Sequence, residues 1–250
     1  MIDFAAQLPD GISTGLFWAL NVASFFGSFI TAGFGIGGGA LVLAILATLL
    51  PPAALIPVHG IVQFGSNVGR TIVLWRHIAR FALPWFIVGS LIGSALGGAL
   101  VVELSPRWVQ AGVGVFIIYS VLAKPPAWLK RWPALTGAIS SFLTMFFGAT
   151  GLFVAGFTKS LRLGRYSHVA THGALMSVQH GLKVLVFGLL GFAFGTWWLV
   201  ILGMIVAGVA GTLCGKMLLD RLSDLNFRRA LDAVLILISL RLIWVALAGD

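Results

Sequence analysis

The sequence predicts an all-α polytopic membrane protein, a single membrane domain of residues 1–250 made of two inverted repeats. Each repeat is predicted to consist of a glycine-tipped re-entrant helical hairpin followed by three transmembrane helices. Three observations support this fold. They are a very apolar composition, apolar stretches of about 20 residues, and a self-match in which His59 and Arg70 recur as His172 and Lys183 at the same spacing.

The composition defines the broad class. Hydrophobic residues make up 59% of the 250 residues, charged residues make up 9%, and the mean hydropathy is +1.05. No water-exposed surface of ordinary polarity can be built from such a chain. The apolar stretches have the length of helices that cross a hydrocarbon core of about 30 Å, and they lack the alternation typical of outer-membrane barrel strands.

The distribution of charge predicts how the chain sits in the bilayer. The net charge is +9, and the basic residues cluster in four short connections at residues 76–80, 124–131, 159–165 and 216–229. Because basic connections favour the cytoplasmic side, we expect all four to face the cytoplasm of the inner membrane. The N-terminus, which carries Asp3 and Asp10 and no signal-peptide pattern, is expected to be mature sequence and periplasmic.

Several partners are not expected. No basic domain with an aromatic platform stands clear of the apolar stretches, so nucleic acid is not a predicted partner. Cys214 is the single cysteine, which excludes an intrachain disulfide and a cysteine-based metal site. The expected partners are the lipid bilayer and a small anion, with no cofactor and no metal, and a homodimer is permitted.

The first repeat is predicted to cover about residues 12–122. Its first limb, residues 12–34, ends at the glycine run of residues 35–39, and a stub follows over residues 40–50. Eleven residues rise only about 16 Å as a helix, so the stub must turn back. A limb of 23 residues is also long enough to cross fully, which would reverse the N-terminus. The three predicted spans are residues 53–75, 81–102 and 106–122.

The second repeat is predicted to cover about residues 134–248. Arg131 and Lys159 can share one side of the membrane only if the intervening chain, broken at residues 148–151, enters and returns. The three spans are predicted at residues 167–190, 196–215 and 227–247. Three is an odd number, so the two repeats have opposite orientations, an arrangement typical of secondary transporters.

Small residues at four-residue spacing occur in the second span of each repeat. They are Gly89, Gly93 and Gly97 in the first repeat, and Gly203, Ala207, Gly211 and Gly215 in the second. Such rows allow helices to pack closely in lipid. We expect these residues to serve packing only.

A polar stripe marks the helix that follows each hairpin. The first stripe consists of His59, Gln63, Asn67 and Arg70, and the second of His172, Met176, His180 and Lys183, with Ser177 and Gln179 nearby. At this spacing the side chains stay within an arc of about 80°. Polar residues inside a membrane are costly and usually functional, so both stripes are predicted to face one central cavity.

Simpler roles remain open for the same residues. Arg70 and Lys183 lie within two turns of a helix end and could extend to the headgroups. The histidines could serve interhelical hydrogen bonding, and the glycine that follows each one could serve a close helix contact. Gln63, Asn67 and Ser177 could be polar packing groups.

The predicted chemistry is that of an anion site. All seven acidic residues are expected to lie in tails, loops or helix ends, so no carboxylate is available for a cation. Each glycine break opens a short helix, and free N–H groups at a helix N-terminus attract anions. A small oxyanion such as a carboxylate, sulfite or sulfonate is therefore the expected substrate.

The candidate site residues have three predicted roles. Arg70 and Lys183 supply positive charge, and Gln63, Asn67, Ser177 and Gln179 orient the anion. Backbone donors are predicted at Gly35, Gly37, Gly38, Gly39, Gly148, Thr150 and Gly151. His59, His172 and His180 are candidates for proton coupling or gating, since imidazole titrates near neutrality.

At these residues the chain resembles a known family. The run Gly33-Phe34-Gly35-Ile36-Gly37-Gly38-Gly39 before an apolar stub, with a weaker copy at residues 147–151 and a basic connection after the next helix, is similar to the sulfite exporter TauE/SafE family. The resemblance covers nearly the whole chain. It implies a bacterial inner-membrane permease for sulfite, sulfoacetate and related organosulfonates. Two positions depart from the expected pattern. Thr150 and Leu152 stand where the first copy has glycine, which implies that the second hairpin tip contributes less to binding. Ala44 stands where the family commonly has proline, which implies a straighter stub.

The sequence thus predicts a secondary transporter, an exporter or permease of small sulfur-containing anions, that works by alternating exposure of a midplane site. An importer of carboxylates or other oxyanions with the same fold is the alternative. An intramembrane enzyme is disfavoured because the sequence has neither a His-Glu metal motif nor a Gly-x-Ser-x-Gly elbow. An assembly subunit would not account for paired breaks with paired cations.

Overall fold

The computed structural model describes residues 5–34, 37–101, 106–122, 131–148, 150–218 and 225–248. This part of the chain is helical and contains no strand. Its α-helices are α1 (Thr14–Phe34), α2 (Gly38–Leu49), α3 (Pro52–Val73), α4 (Leu83–Val101), α5 (Pro106–Leu122), α6 (Pro133–Phe147), α7 (Gly151–Ser160), α8 (Arg165–Leu189), α9 (Trp198–Leu218) and α10 (Leu225–Ala248).

The helix bounds confirm the segment predictions. Each predicted limb, stub and span corresponds to one helix, and the ends agree within three residues. Glycine and proline set these ends. Gly37 and Gly148 have φ angles of +107° and +79° at the two breaks, which favour a residue without a Cβ. Pro52 and Pro133 begin α3 and α6, where a missing N–H costs nothing.

Two helices are too short to cross a hydrocarbon core. α2 has 12 residues and α7 has 10, which correspond to about 18 Å and 15 Å of helix against about 30 Å of hydrocarbon. α2 folds back on α1, and Gly38 packs directly on the backbone of Gly27 and beside Thr31. A Cβ at Gly38 would collide with the Gly27 carbonyl oxygen, so this close approach needs glycine.

Three described helical segments are long and apolar enough to cross a membrane by length and composition. They are Thr14–Phe34, Arg80–Val101 and Phe194–Met217. α3 and α8 have 22 and 25 residues, but their polar stripes lower their hydropathy. The two helices lie in the middle of the bundle, where their polar side chains are buried against protein.

α3 and α8 pack against each other in opposite directions. Near one end of α3, Gly60 lies beside Lys183 of α8, and near the other end Arg70 lies beside Gly173. Since the residue numbers run in opposite senses along the interface, the helices are antiparallel. Phe64 packs on Gly181 between these two points.

The glycine rows form close helix contacts, as predicted. Gly89 and Gly93 of α4 lie on the backbone of Ala134 and Ala138 of α6. In the same way, Gly203, Gly211 and Gly215 of α9 lie along α1. Both contacts run in register along the two chains, so α4 is parallel to α6 and α9 is parallel to α1.

The largest interfaces between non-consecutive helices follow the same pattern in both halves of the chain. They join α4 to α6, α1 to α9, α3 to α8, α5 to α10, α3 to α9 and α4 to α8. Exchanging α1–α5, in order, with α6–α10 maps this set onto itself. The two halves are therefore packed in equivalent ways around α3 and α8.

The described basic residues of three connections lie at one end of the bundle. α3 and α9 are parallel, since Gly65 and Gly69 contact Ile205 and Val209, and α8 begins where α3 ends. The described cations of these connections are Arg76, Arg80, Lys159, Arg162, Arg165 and Lys216. Most of the connection at residues 124–131 lies outside the described residues.

Candidate functional site

A cavity of about 230 Å³ lies where the two short helices meet α3 and α8. Eight of the residues predicted for the site lie in its wall, and both halves contribute. They are Gly37, Gly39, His59, Gln63, Asn67, Gly151, His172 and His180. The two stripes are therefore brought together at one cavity, as expected from their spacing.

Both short helices begin at the cavity without a side-chain cap. The N-cap residues are Gly37 for α2 and Thr150 for α7, and neither helix has a side-chain hydrogen bond at this end. Ala40 and Leu152, in the first turns, line the cavity. The N–H groups of a first turn have no i−4 partner within the helix. Apart from that of Phe153, which donates to the Thr150 carbonyl at 3.1 Å, they are available to an anion in the cavity.

Two histidines hold the start of these helices. His59 Nε2 donates to the Gly39 carbonyl at 3.1 Å, and His172 Nε2 donates to the Gly151 carbonyl at 3.4 Å. A carbonyl only accepts, so Nε2 carries the hydrogen in both rings. The Nδ1 atoms are buried and have no hydrogen-bond partner in the described part of the chain. The hydrogen-bonding role considered for these residues is thus real, and it joins each histidine to its own hairpin.

His59 also faces the other half. Its ring lies perpendicular to that of His180, with centroids 5.8 Å apart. Both rings line the cavity. His180 occupies the position in α8 that Asn67 occupies in α3. The equivalent pair in the other half is therefore His172 with Asn67, and not two histidines.

The two central cations are buried. Arg70 is 1% exposed and Lys183 is 0% exposed, which excludes extension of either side chain to the headgroups. Arg70 Nη1 donates to Asn67 Oδ1 at 3.2 Å, while Nε has no hydrogen-bond partner in the described structure. Lys183 Nζ makes two long contacts, 3.4 Å to the Gly148 carbonyl and 3.5 Å to Thr144 Oγ1. No acidic side chain of the described residues pairs with either cation.

Arg70 and Lys183 lie behind the cavity wall and not in it. The lining includes three histidines, and each cation acts electrostatically on one histidine of the other half. Lys183 acts on His59 of the other half and on His180 of its own helix, and Arg70 acts on His172. Each half of the chain therefore places one positive charge directly behind the histidines that line the cavity.

The glycine beside each histidine lies against the opposite cation, and at Gly60 the contact leaves no room for a Cβ. A Cβ at Gly60 would lie 2.7 Å from Lys183 Cε, and one at Gly173 would lie 3.6 Å from Arg70 Cδ. Each side-chain stem therefore crosses the backbone of the opposite helix at a glycine. The close helix contact considered for the His-Gly pairs is present, and at each of these glycines one contacting side chain is a buried cation.

Four predicted residues lie nearby but outside the lining. Gln179 Nε2 donates to Thr150 Oγ1, and Ser177 Oγ donates to the Gly173 carbonyl at 2.8 Å. Gly148 is packed against Leu43, whose Cδ1 would lie 2.8 Å from an added Cβ.

Two further glycines are predicted as backbone donors, Gly38, which is not in the cavity lining of the described residues, and Gly35. Gly38 is packed on α1, as described above. Gly35 lies outside the described residues.

The expectation that every acidic residue lies in a tail, loop or helix end is wrong for Asp232. This residue is the eighth of the 24 residues in α10, and it lines the cavity with Leu235. The predicted span begins at residue 227, which puts Asp232 near the end of the predicted helix. The one sequence signal for a role in the cavity is that Asp232 is the only acidic residue within that span.

Met176 of α8, a member of the second stripe, also lines the cavity. The remaining lining residues, which belong to neither stripe, are Thr31 and Phe34 of α1 and Ser120 and Val121 of α5. Phe34, Val121 and Met176 give part of the wall an apolar character. Single residues of these types are ordinary in apolar helices, so their position could be read only from the packing.

An apolar helical bundle with a central cavity, lined in part by polar side chains and bounded by the starts of two short helices, has the features of a membrane transport protein. The comparison with family models specifies which one. The chain belongs to the sulfite exporter TauE/SafE family, whose model matches residues 20–242. Family membership implies an integral membrane transporter of sulfur-containing anions. No curated protein and no solved structure matches the chain.

Proposed function

We propose that this protein is a secondary transporter that carries a small sulfur-containing anion, such as sulfite or an organosulfonate, by alternating exposure of the central cavity. The observation that carries this proposal is the wall of the cavity. Two uncapped helix starts open onto it, and a buried cation from each half lies directly behind its histidines. These groups converge on a site for negative charge.

The packing supports two inverted repeats, about residues 12–122 and 134–248. A two-fold axis along the membrane normal leaves equivalent helices parallel, whereas an axis in the membrane plane makes them antiparallel. α3 and α8 occupy equivalent positions and are antiparallel. This favours the in-plane axis, which is the symmetry of many secondary transporters.

In this arrangement α1 with α2 and α6 with α7 act as the re-entrant hairpins. Their tips border a cavity lined by protein, a setting in which a membrane tolerates irregular backbone. The described basic connections share one end of the bundle, which we assign to the cytoplasm. The N-terminus is then periplasmic, because α1 is parallel to α9 and therefore runs from the opposite end toward the basic end.

The energetics favour an anionic substrate. A buried cation without a counter-charge is costly, and Arg70 and Lys183 are both in this situation. A bound anion supplies the missing charge. The two cations approach from opposite halves, so a conformational change that moves one half against the other changes the balance of charge around the anion.

The size of the cavity favours a small substrate. Its volume of about 230 Å³ lies below the 300–1,000 Å³ typical of pockets for drug-sized ligands. An oxyanion of a few heavy atoms fits with several waters, each of which occupies about 30 Å³ in the liquid. Phe34, Leu152 and Met176 offer apolar contact to the carbon of an organosulfonate.

We assign proton coupling to the histidine pair. His59 and His180 contact each other, line the cavity and lie beside Lys183. Imidazole changes charge near neutral pH. Protonation of this pair and anion binding would then support each other, because each places opposite charge beside the other.

Counterflow in proteoliposomes tests the substrate class. Labelled sulfite is added outside, and vesicles are loaded with sulfite, sulfate, thiosulfate, sulfoacetate, taurine or malonate. We expect acceleration by internal sulfite or sulfoacetate and little by taurine, which carries a cationic amine. Acceleration by malonate alone would indicate the carboxylate transporter. Chemical conversion of the label without counterflow would indicate an enzyme.

A pH-sensitive dye inside the same vesicles tests the coupling. We expect sulfite flux to move protons in the wild type, and His59→Gln or His180→Gln to uncouple the two. His168→Gln serves as the control, because His168 is on α8 but does not line the cavity. Unchanged proton movement in both cavity variants would contradict the assignment.

A further inference from the structure

A second concave site lies at the basic end of the bundle, where α3 and α9 end and α8 begins. This groove encloses about 480 Å³, and its polar wall consists of Trp75, Arg76, His77, Tyr166 and Lys216. The residues come from three parts of the chain that only the fold brings together. We propose that the groove binds the headgroup of an anionic phospholipid.

The charge of the groove is suited to a phosphodiester. Arg76 offers the planar fork of donors that matches phosphate, and Lys216 offers a compact ammonium. In the described part of the chain no acidic side chain pairs with either residue. Basic side chains at the cytoplasmic surface attract anionic lipid, and here two of them share one concavity.

The aromatic residues position this site at headgroup depth. Arg76 lies over the ring of Trp75, with its guanidinium carbon 5.4 Å from the ring centroid. His77 stacks on Tyr166 at 5.3 Å and 29°. Trp and Tyr are enriched at the membrane–water interface, and these contacts hold the basic side chains at the groove.

Apolar side chains beside the groove identify the ligand as a lipid and not free phosphate. Ile72, one turn before Arg76, is 65% exposed, and Met217, next to Lys216, is 77% exposed. Leu213, one turn earlier on α9, is 49% exposed. These residues provide a surface for an acyl chain directly below a headgroup held in the groove.

The test uses the full-length protein in a neutral detergent, titrated with phosphatidylglycerol or phosphatidylcholine while thermal unfolding is followed. We expect saturable stabilisation by phosphatidylglycerol alone. The double variant Arg76→Gln/Lys216→Gln should weaken its apparent affinity at least about tenfold, since loss of one hydrogen bond between charged groups is worth about tenfold or more. The matched control Arg80→Gln/Arg131→Gln makes the same charge change at exposed residues outside the groove and should retain the affinity.

Three results would overturn the proposal. These are equal stabilisation by phosphatidylcholine, equal weakening in the matched control, and full stabilisation by inorganic phosphate alone, which would leave a site for the free ion. If the double variant does not fold, Lys216→Arg and Lys216→Gln replace it. We then expect the arginine variant to retain the affinity and the glutamine variant to lose it, and equal affinities would contradict the site.

Discussion

The two halves of the bundle share positions but differ in chemistry. On α3 and α8 a histidine, the glycine after it and a cation eleven residues further on occur in both halves. Between them, α3 has Gln63 and Asn67 where α8 has Met176 and His180, and all four of these residues line the cavity. The shared cations lie behind the wall and the shared histidines hold the hairpins, whereas the differing residues line the cavity and make no hydrogen bond to either hairpin within the described residues.

Under the proposed function, we expect the differing residues to determine which anion is bound. The cations lie behind the wall and can attract any small anion, because charge acts without regard to shape. The amides of α3 and the methionine and histidine of α8 touch the cavity directly. A transporter with symmetric packing thus has an asymmetric site, with the amides on one side and the added histidine on the other.

Neutralising the shared cations should have the largest effect. Removing one partner of a buried charge interaction costs about 2–5 kcal/mol, so Arg70→Gln and Lys183→Gln should each lower counterflow at least about 30-fold. Arg80→Gln, the same change at an exposed residue, should leave it unchanged. Wild-type flux in the variant carrying both neutralisations would reject the role of the cations.

The glycines should distinguish the halves. In Gly60→Ala the added Cβ would lie 2.7 Å from Lys183 Cε, so the flexible ammonium must move. In Gly173→Ala the tightest contact would be 3.3 Å, to Thr71 Oγ1. Loss of one charged hydrogen bond is worth about tenfold or more. We expect anion affinity to fall by about tenfold in Gly60→Ala and to change little in Gly173→Ala. Equal losses of affinity in the two variants would contradict the proposed difference between the halves.

Stability should change in the opposite direction to transport. Replacing buried charge by apolar groups is often stabilising by about 1–4 kcal/mol, so Lys183→Met should raise the unfolding temperature by a few degrees while transport is lost. Lys159→Met, at an exposed position, is the control and should change little. A lower unfolding temperature in Lys183→Met would show that the lysine serves structure.

The smallest effect concerns Asp232. Its carboxylate lines the same cavity that should hold an anion, and like charges disfavour each other. Asp232→Asn should therefore increase the apparent affinity for sulfite, by about threefold to tenfold for a partly solvated group. Weaker binding in this variant would mean that the carboxylate acts in another way, for example by holding a basic side chain at the cavity.

Local features allowed most of the fold to be predicted. Apolar length defines the helices, and glycine runs and prolines define their ends, so the breaks at Gly37 and Gly148 and the start of α3 could be placed from the sequence. The repeated spacing of the stripes also predicted that α3 and α8 would face one cavity. These features depend on single residues or on helical periodicity, and both are visible in a sequence.

The depth of each side chain could not be predicted in the same way. Periodicity assigns Arg70 to the face that carries His59, but it does not tell whether the guanidinium enters the cavity or lies behind it. Ser177 and Gln179 are near the stripe in sequence, yet their hydrogen bonds turn them toward Gly173 and Thr150. Asp232 reaches the cavity because α10 packs beside α5 and α2, a contact that no local pattern encodes.

Substrate protection of a cavity cysteine tests the central claim most directly. Cys214 is the single cysteine and is exposed, so Cys214→Ser provides a background for Met176→Cys. Membrane-impermeant thiol reagents are applied to right-side-out and inside-out vesicles, with and without sulfite or sulfoacetate. The account predicts labelling from both faces and protection by a transported anion. Labelling from one face only, at a rate that saturating substrate leaves unchanged, would contradict it.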